Sequence, residues 1–503
     1  MATTEAPADF DLLVVGGGIN GAGIARDAAG RGLRVCLVEQ HDLASHTSSA
    51  STKLIHGGLR YLEQGELRLV RESLAERERL LAIAPHIIRP LRFVLPYVDG
   101  LRPRWLLRLG LFIYDHAGGR ERLQASTATP ITGTALGEVL RPELRDGFEY
   151  SDCWVEDSRL VVLNAMDAAA RGASVRTQTQ LMDAREEGRL WHVTCRDAGG
   201  RTSALTARAL VNATGAWVNE VLKRLAVTPR QRLRLVKGSH LVLRRIYPGD
   251  QACLLQSPDR RVIFMIPFEQ QYTLVGTTDV PYEGDPGAPG VDAAEQQYLL
   301  DAINRFLRRP VGPNDIVSRY SGVRPLFDDG NSTSAQQVSR DYHLELQQGR
   351  TGATVLTVYG GKITTYRRLA EHALERLGST LDVPGDSWTA TEPLPGGDLP
   401  GADLASFTSH CREHWPLLPR SLVDRMARTY GTRMAQLVGG ARQLSELGRD
   451  YGAGLTAAEI RYLVENEWAR SAEDILLRRT RLGLQFPASA LRDLQDAVAQ
   501  LRG

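Results

Sequence analysis

Cysteine is scarce in this chain. The five residues Cys36, Cys153, Cys195, Cys253 and Cys411 are scattered, odd in number and form no C-x-x-C pair. That excludes a disulfide framework and a structural zinc site, and it points to a reducing compartment. Long apolar runs are missing as well: nothing approaches the ~18–20 residues needed to cross a bilayer. The first residues, MATTEAPADFD, hold neither a basic stretch nor an apolar core, so no secretory signal is expected. Charge of one sign does not dominate either. Lysine and arginine number 61 against 59 acids, a net +2, which carries no nucleic-acid signature for the chain as a whole. What remains is 43% hydrophobic and 24% charged over 503 residues, a globular composition too long for one ordinary domain.

The most informative stretch runs from Phe10 to Glu39. A short apolar run, Phe10 to Val15, reads as a buried parallel strand. Gly16, Gly18 and Gly21 follow in the spacing G-x-G-x-x-G and open a small-residue helix through Ala29. A second apolar run, Leu33 to Val38, ends on the acid Glu39. In this pattern the first glycine permits a tight turn, the second lets backbone approach a pyrophosphate, and the third lets helix and strand pack closely. The helix N-terminus offers unpaired N–H groups to that anion. Glu39 stands where a carboxylate accepts hydrogen bonds from ribose hydroxyls, which favours FAD or NAD over NADP.

Directly after Glu39 comes a loop dense in hydroxyls (Ser45, Thr47, Ser48, Ser49, Ser51, Thr52), ending in IHGGLRYLE with His56, Arg60 and Tyr61 against two glycines. Such a loop lies at the carboxyl edge of the sheet, where ligands of open α/β sheets sit.

These two stretches, GGGINGAGIARDAAGRG and TSSASTKLIHGGLRYLE, resemble the FAD-dependent glycerol-3-phosphate dehydrogenases of aerobic bacteria and mitochondria. GFEYSDCWVEDSRL (147–160), LVNATGAWVN (210–219), VKGSHLVL (236–243), FMIPF (264–268), VGTTDVPYEGDP (275–286), YSGVRPLFDD (320–329) and VYGGKITTYRRLAEHALE (358–375) extend the resemblance over nearly the whole chain. It implies a non-covalent FAD, oxidation of sn-glycerol 3-phosphate to dihydroxyacetone phosphate, and electron delivery to a membrane quinone. It also implies that the A-T-G turn Ala213, Thr214, Gly215 approaches the nucleotide. The expected cofactor-binding set is Gly16, Gly18, Asn20, Gly21, Glu39, Thr47, Ser48, Ser49, Ala213, Thr214, Gly215, Gly360, Gly361, Lys362 and Thr364.

The expected fold is α/β: a Rossmann-like FAD-binding domain (1–80, 150–229 and 330–392), an antiparallel-sheet substrate domain carrying a membrane-facing segment (81–149 and 230–329), and a C-terminal α-helical domain (393–503). Glu66 to Leu81 reads as a helix with Leu67, Val70, Leu74 and Leu81 on one face and charge on the other. Arg104 to Tyr114 reads as a second, with Trp105, Leu106, Leu109, Phe112 and Ile113 on one face. Five arginines between Arg89 and Arg108 face the single acid Asp99. A basic, Trp-bearing amphipathic helix suits a membrane interface, and a core helix is the plainer alternative; the resemblance favours the membrane. Ser158 to Gly172 reads as a helix, and residues 230–330 alternate as antiparallel strands, with Gly276 to Asp279 and Ser321 to Pro325 as strand-end loops. The basic run from Lys223 to Arg245 contains no acid and suits a phosphate or a lipid surface as well as solvent. Leu356 to Leu369 reads as strand–GGK–helix, with Thr364 and Thr365 supplying hydroxyls. Pro393 to Gly401 reads as a linker, followed by helices with a start at Ser471-x-x-Asp474 and no catalytic constellation, a structural cap or dimer element.

A phosphorylated secondary alcohol needs a cationic clamp and a base. Arg60, Arg324 and Lys362, each in a glycine-flanked motif, suit the clamp, with Tyr61 beside them. His56 is the first candidate base and His240 the second, with Arg324 completing the catalytic set. Competing readings are a flavin oxidase producing peroxide, a non-catalytic FAD-holding membrane module, and a nicotinamide dehydrogenase, which lacks a second nucleotide fingerprint. The expected partners are sn-glycerol 3-phosphate, a quinone and an anionic lipid surface, with no nucleic acid and no metal. A homodimer in the cytoplasm, attached peripherally to the inner face of the cell membrane, is expected.

Overall fold

The computed structural model describes residues 8–62, 65–98, 101–256, 261–328 and 341–502. Its first sheet has Phe10–Val15 at the centre, where a run of residues buried on both faces belongs. Val35–Val38 and then Ser174–Arg176 pair parallel on one side, and Thr202–Asn212 and then Thr354–Tyr359 on the other. Val14 thus sits between Leu37 and Val211. An antiparallel edge strand, His343–Gln348, and the hairpin Thr179–Glu187/Leu190–Asp197 complete eight described strands. The helices Ile19–Gly30, Asp157–Ala170 and Tyr366–Leu377 cover one face, burying Ala22, Ile24, Leu163 and Leu369 against the strands. All four central parallel strands end on one edge, at Val15, Val38, Asn212 and Tyr359, so the loops that follow them converge there.

The second sheet has ten described strands, antiparallel except where Ala252–Gln256 runs parallel to Ile88–Pro96. Its spine is Arg232–Arg244 against Ile316–Asp328, in a register that sets Val236 opposite Arg324 and His240 opposite Tyr320. Ser321 to Pro325 therefore lies within a long strand rather than at a strand-end loop. Gly322 breaks no pairing because it faces Gly238 across the ladder. The expected domain boundary at 150 also falls inside a strand, Asp146–Val155, which pairs wholly within the second sheet. The expected boundary at 329/330 lies outside the described residues.

The helix Leu67–Ile83 buries Val70, Leu74 and Leu81 as expected, but Leu67 is exposed at its start. Its charged side is not uniformly solvated. Glu76 accepts from the buried Arg367 at 2.6 and 2.7 Å, and Arg77 donates to Asp152 at 2.7 Å, so these charges are buried as pairs. The helix Arg104–Ala117 buries only Leu111 and Tyr114. The face with Trp105, Leu106, Leu109, Phe112 and Ile113 points outward, and Trp105 is 68% exposed. A core helix is thereby excluded for that face. Among the described residues no helix is long and apolar enough to cross a membrane.

The basic run from Lys223 to Arg245 is paired within the protein in part, while Lys223, Arg230, Arg232 and Arg244 are exposed. Lys237 is bound by Glu295 at 2.8 Å and Asp292 at 3.2 Å, and Arg234 by Asp328 at 2.9 Å. The Pro- and Gly-rich stretch 393–401 is not a loose tether either: Leu394 and Leu399 are buried, and Leu394 N–H bonds to Ile83 C=O at 2.9 Å. Beyond it, helices including Leu404–His414, Arg420–Tyr430, Ala457–Asn466 and Leu491–Arg502 enclose their own core around Val423, Met426 and Leu463. Ser471 Oγ accepts from Asp474 N–H at 3.1 Å, the helix start its spacing predicts.

Candidate active site

The Gly16 turn, the hydroxyl-rich loop after Glu39, the Ala213–Gly215 turn and the Gly360–Thr364 turn line one cleft with the inner side of the second sheet. Gly16 has φ +111, and a Cβ there would meet the Ala213 carbonyl at 2.6 Å, so both conformation and space demand glycine. Gly18 is different. Its backbone is extended, and among the described residues, chain neighbours aside, a Cβ would meet only Ser48 Oγ within 4 Å, at 3.1 Å, because that side faces the cleft. Ser48 Oγ accepts from Ile19 N–H at 3.0 Å, leaving the other N–H groups of the helix start towards the cleft. Gly21 packs beneath, against the Gly16 carbonyl.

Glu39 accepts from Gly17 N–H at 2.7 Å through one carboxylate oxygen and from His41 N–H at 2.8 Å through the other. Burial raises its pKa against the pull of these bonds. The carboxylate keeps acceptor capacity for a hydroxyl beyond these bonds. Asn20 Nδ2 donates to Gly360 C=O at 3.2 Å, while its Oδ1 is buried with no partner among the described residues. A cradle with room beside Gly18, an open helix N-terminus and an orphaned amide oxygen fits a dinucleotide. Thr47 donates to Val323 C=O at 2.7 Å, tying the hydroxyl loop to the second sheet. Ser49 differs from expectation: its hydroxyl donates to His46 C=O at 3.1 Å, and it does not line the cleft.

The candidate chemistry gathers where the Gly57 turn meets the Gly361 turn. His56 N–H donates to Thr364 Oγ1 at 3.3 Å, which joins the two loops. The His56 ring lines the cleft and makes no hydrogen bond among the described residues. Its pKa is lowered, first by burial, then by Lys362 and Arg77, while Asp152 opposes them. Beneath it, Asp152 accepts from Tyr114 O–H at 2.7 Å and from Arg77 at 2.7 Å, and Tyr114 in turn accepts from Gly57 N–H at 2.8 Å. The turn carrying His56 is thus held by a buried carboxylate, a guanidinium and a phenol. Lys362 Nζ lies 4.0 Å from the centre of the Tyr61 ring, and both line the cleft. Arg60 lies in the helical turn Leu59–Leu62, and its side chain is outside the described residues.

Arg324 reaches the cleft from the second sheet, bonding Asp279 and, at 3.2 Å, Thr277 Oγ1. His240, the second candidate base, does not reach the cleft. It is 1% exposed, stacked on Tyr320 at 4.8 Å, and hydrogen-bonded through Nε2 to Thr52 at 2.9 Å. Burial, then Arg324 and Lys53, push its pKa well down. The structure brings His56, Tyr61, Lys362 and Arg324 into one cleft and leaves His240 behind its wall.

Sequence reasoning missed Asp152 and Asp279. Both stand in recognisable motifs, EYSDCW and TTDVPY, but an acid beside a clamp for an anion has no local signal. Only the fold shows that one holds Arg77 and the other Arg324.

Residues 11–367 match the family model described as FAD dependent oxidoreductase, and residues 387–502 match the C-terminal domain of alpha-glycerophosphate oxidase. The chain is 50% identical over 476 residues to the glycerol-3-phosphate dehydrogenase of Pseudomonas aeruginosa, covering 94% of this chain and 92% of the relative. It is 49% identical over 477 residues to the D-erythritol 1-phosphate dehydrogenase of Brucella abortus, covering 94% and 95%. Among solved structures, the glycerol-3-phosphate dehydrogenase from Bacillus halodurans complexed with FAD superposes with TM-score 0.76 at 29% identity, covering 98% of this chain and 90% of that one.

Proposed function

The chain belongs to the FAD-dependent glycerol-3-phosphate dehydrogenases, and on that premise we propose that it oxidises C2 of sn-glycerol 3-phosphate to dihydroxyacetone phosphate. The observation that carries this reading is the convergence of His56, Lys362 and Arg324 on the cleft that contains the Gly16–Gly21 fingerprint. Gly16, Gly18, Glu39, Ser48 and the Ala213 and Gly360 turns would hold the FAD. When bound, FAD would accept the hydride equivalent leaving C2. His56, neutral because its pKa is depressed, takes the hydroxyl proton, so the alcohol loses one hydride and one proton and becomes a ketone. Lys362 offers the phosphate a point charge and Arg324 a planar fork. The test is anaerobic addition of glycerol 3-phosphate to the purified protein: bleaching of the flavin spectrum supports the reading, and an unchanged spectrum opposes it.

Arg324→Ala should lower kcat/KM for glycerol 3-phosphate at least about tenfold, since a charge-assisted bond contributes ~1.5–3 kcal/mol. The variant also leaves Asp279 facing the cleft without its guanidinium partner, so Arg324→Ala/Asp279→Asn should recover part of the loss. Unphosphorylated glycerol should be poorly used by every form. An equal fractional loss on glycerol and glycerol 3-phosphate would rule out a phosphate role.

The Brucella relative favours a second substrate of the same class, D-erythritol 1-phosphate, which extends the polyol by one carbon. The ratio of kcat/KM for the two phosphates decides between them.

The electron acceptor is proposed to be a membrane quinone, reached by peripheral attachment to the inner face of the cell membrane. The exposed apolar face of the helix Arg104–Ala117, flanked by Arg104 and Arg108, supports this. Replacing Trp105, Leu109 and Phe112 with serine should release the protein from anionic vesicles and leave dye-linked activity intact, because those side chains are already solvent-facing. Retained vesicle binding would count against this face. The matched oxidase C-terminal domain keeps oxygen as the rival acceptor, and peroxide formed at substrate turnover without quinone would favour it.

A further inference from the structure

The helical C-terminal region sends one short turn, Arg478 to Arg481, back into the first domain. Arg478 Nε bonds Asp42 at 2.7 Å, and Arg479 grips both Asp42 oxygens at 2.7 and 2.9 Å while also donating to Glu467 C=O at 2.7 Å. Two residues on, Arg481 bonds Asp157 at 2.6 Å and Glu156 at 2.6 Å. Asp157 also accepts from Ser51 Oγ at 2.7 Å and from Lys53 Nζ at 2.9 Å. Arg479, Asp157 and Arg481 are all at least nine-tenths buried in their side chains.

Asp42 and the Ser51–Lys53 segment are the two ends of the hydroxyl-rich loop. Near each end a non-glycine residue adopts the left-handed region, Ala44 at φ +60 and Lys53 at φ +62. Such backbone persists only where its surroundings over-determine it; Lys53 bonds the arginine-held Asp157, and Ala44 stands two residues after the arginine-held Asp42. Between the two anchors the loop does three things. Ala44 N–H bonds Gly17 C=O at 3.1 Å, Ser48 Oγ caps Ile19 N–H, and Thr47 reaches Val323. Each contact falls on the fingerprint turn or on the strand that carries Arg324.

We infer that the Arg478–Arg481 turn is a positioning element for the FAD cradle: it sets both ends of the hydroxyl loop and so presents Ser48 and the Gly17–Ile19 backbone to the dinucleotide. The inference rests on the assignment of this cleft to FAD. It gives the C-terminal region a role inside the cofactor site rather than that of a cap beside it. Arg478, Arg479 and Arg481 touch the loop and its supports, so they act through Ser48 and the fingerprint turn.

The test is a double-mutant cycle read as FAD affinity of the apoprotein, by quenching of flavin fluorescence, with the melting temperature of the apoprotein measured in parallel. Asp42→Asn keeps the shape of the side chain and removes the charge that both arginines hold. It should weaken FAD binding about tenfold or more, a shift of at least ~1.4 kcal/mol. Ser48→Ala should weaken binding in the natural background and add little in the Asp42→Asn background, because the loop that aims Ser48 is already displaced. Arg481→Met tests the other anchor and should show the same coupling, while Lys53 still pairs with Asp157. Arg412→Ala, which breaks an ion pair internal to the C-terminal region, should leave FAD affinity unchanged. The inference fails if a folded Asp42→Asn or Arg481→Met binds FAD within twofold of the natural chain, or if the Ser48 effect multiplies independently of them. Because those outcomes concern coupling, they differ from loss of the FAD assignment itself, in which none of the forms would bind flavin.

Discussion

A His56→Asn enzyme is expected to hold its FAD and bind glycerol 3-phosphate nearly normally, yet to reduce the flavin about 10²–10⁴ times more slowly, the range a positioned general base supplies. The backbone of His56 is tied to Thr364 through both its N–H and its carbonyl, and Gly57 is tied to Tyr114, so the turn survives loss of the imidazole. The ring itself makes no hydrogen bond among the described residues, which leaves it available to a substrate hydroxyl. Burial and the cations Lys362 and Arg77 hold its pKa below the ordinary value near 6.5. The proton-accepting form therefore persists into mildly acid solution, and the acid limb of kcat/KM should lie below pH ~6.5. A phosphate dianion in the cleft favours the imidazolium, so the corresponding limb of kcat should lie higher. Single-turnover flavin reduction across pH measures both. Near-natural rates in His56→Asn, with the acid limb intact, would remove His56 from the chemistry.

The legible part of this molecule is the part written in short-range pattern. Phe10–Val15, the glycine spacing and Glu39 are local signals of backbone conformation, and the first strand, fingerprint helix and second strand follow from them. The exposed face of Arg104–Ala117 was readable as amphipathic, but its outward orientation depends on what the rest of the chain leaves uncovered. His240 shows where local reasoning stops. Its Gly-Ser-His setting looks like His56 in its Ile-His-Gly-Gly setting, yet the strand register opposite Tyr320 turns it into the sheet interior. Burial of Glu76 and Arg77 was likewise hidden, because their partners Arg367 and Asp152 stand 291 and 75 residues away. The clamp from Arg478 to Asp42 spans 436 residues and leaves no trace in either local sequence.

Gly18→Val is expected to yield folded protein without flavin. The φ of Gly18 is −81 with extended ψ, so a side chain imposes no backbone strain of the kind Gly16 would suffer at φ +111. Among the described residues, chain neighbours aside, an added Cβ would meet Ser48 Oγ alone within 4 Å, at 3.1 Å, the end of a short rotatable side chain. Folding therefore tolerates the substitution, and the core of Val14, Ala22 and Ile24 beside it is untouched. The valine methyls would instead occupy the space in front of the Ile19 helix start, where a dinucleotide's pyrophosphate would be held by the N–H groups of that start. Steric exclusion there removes both the closest contacts and the helix-terminal attraction, so loss of flavin should be essentially complete rather than graded. Gly16→Val makes the contrast: it meets the Ala213 carbonyl and should lower apoprotein stability as well. The yellow colour of purified protein, with far-UV circular dichroism as the check on folding, separates the two. Gly18→Val purified with a full complement of FAD would mean that the dinucleotide does not pass over this turn.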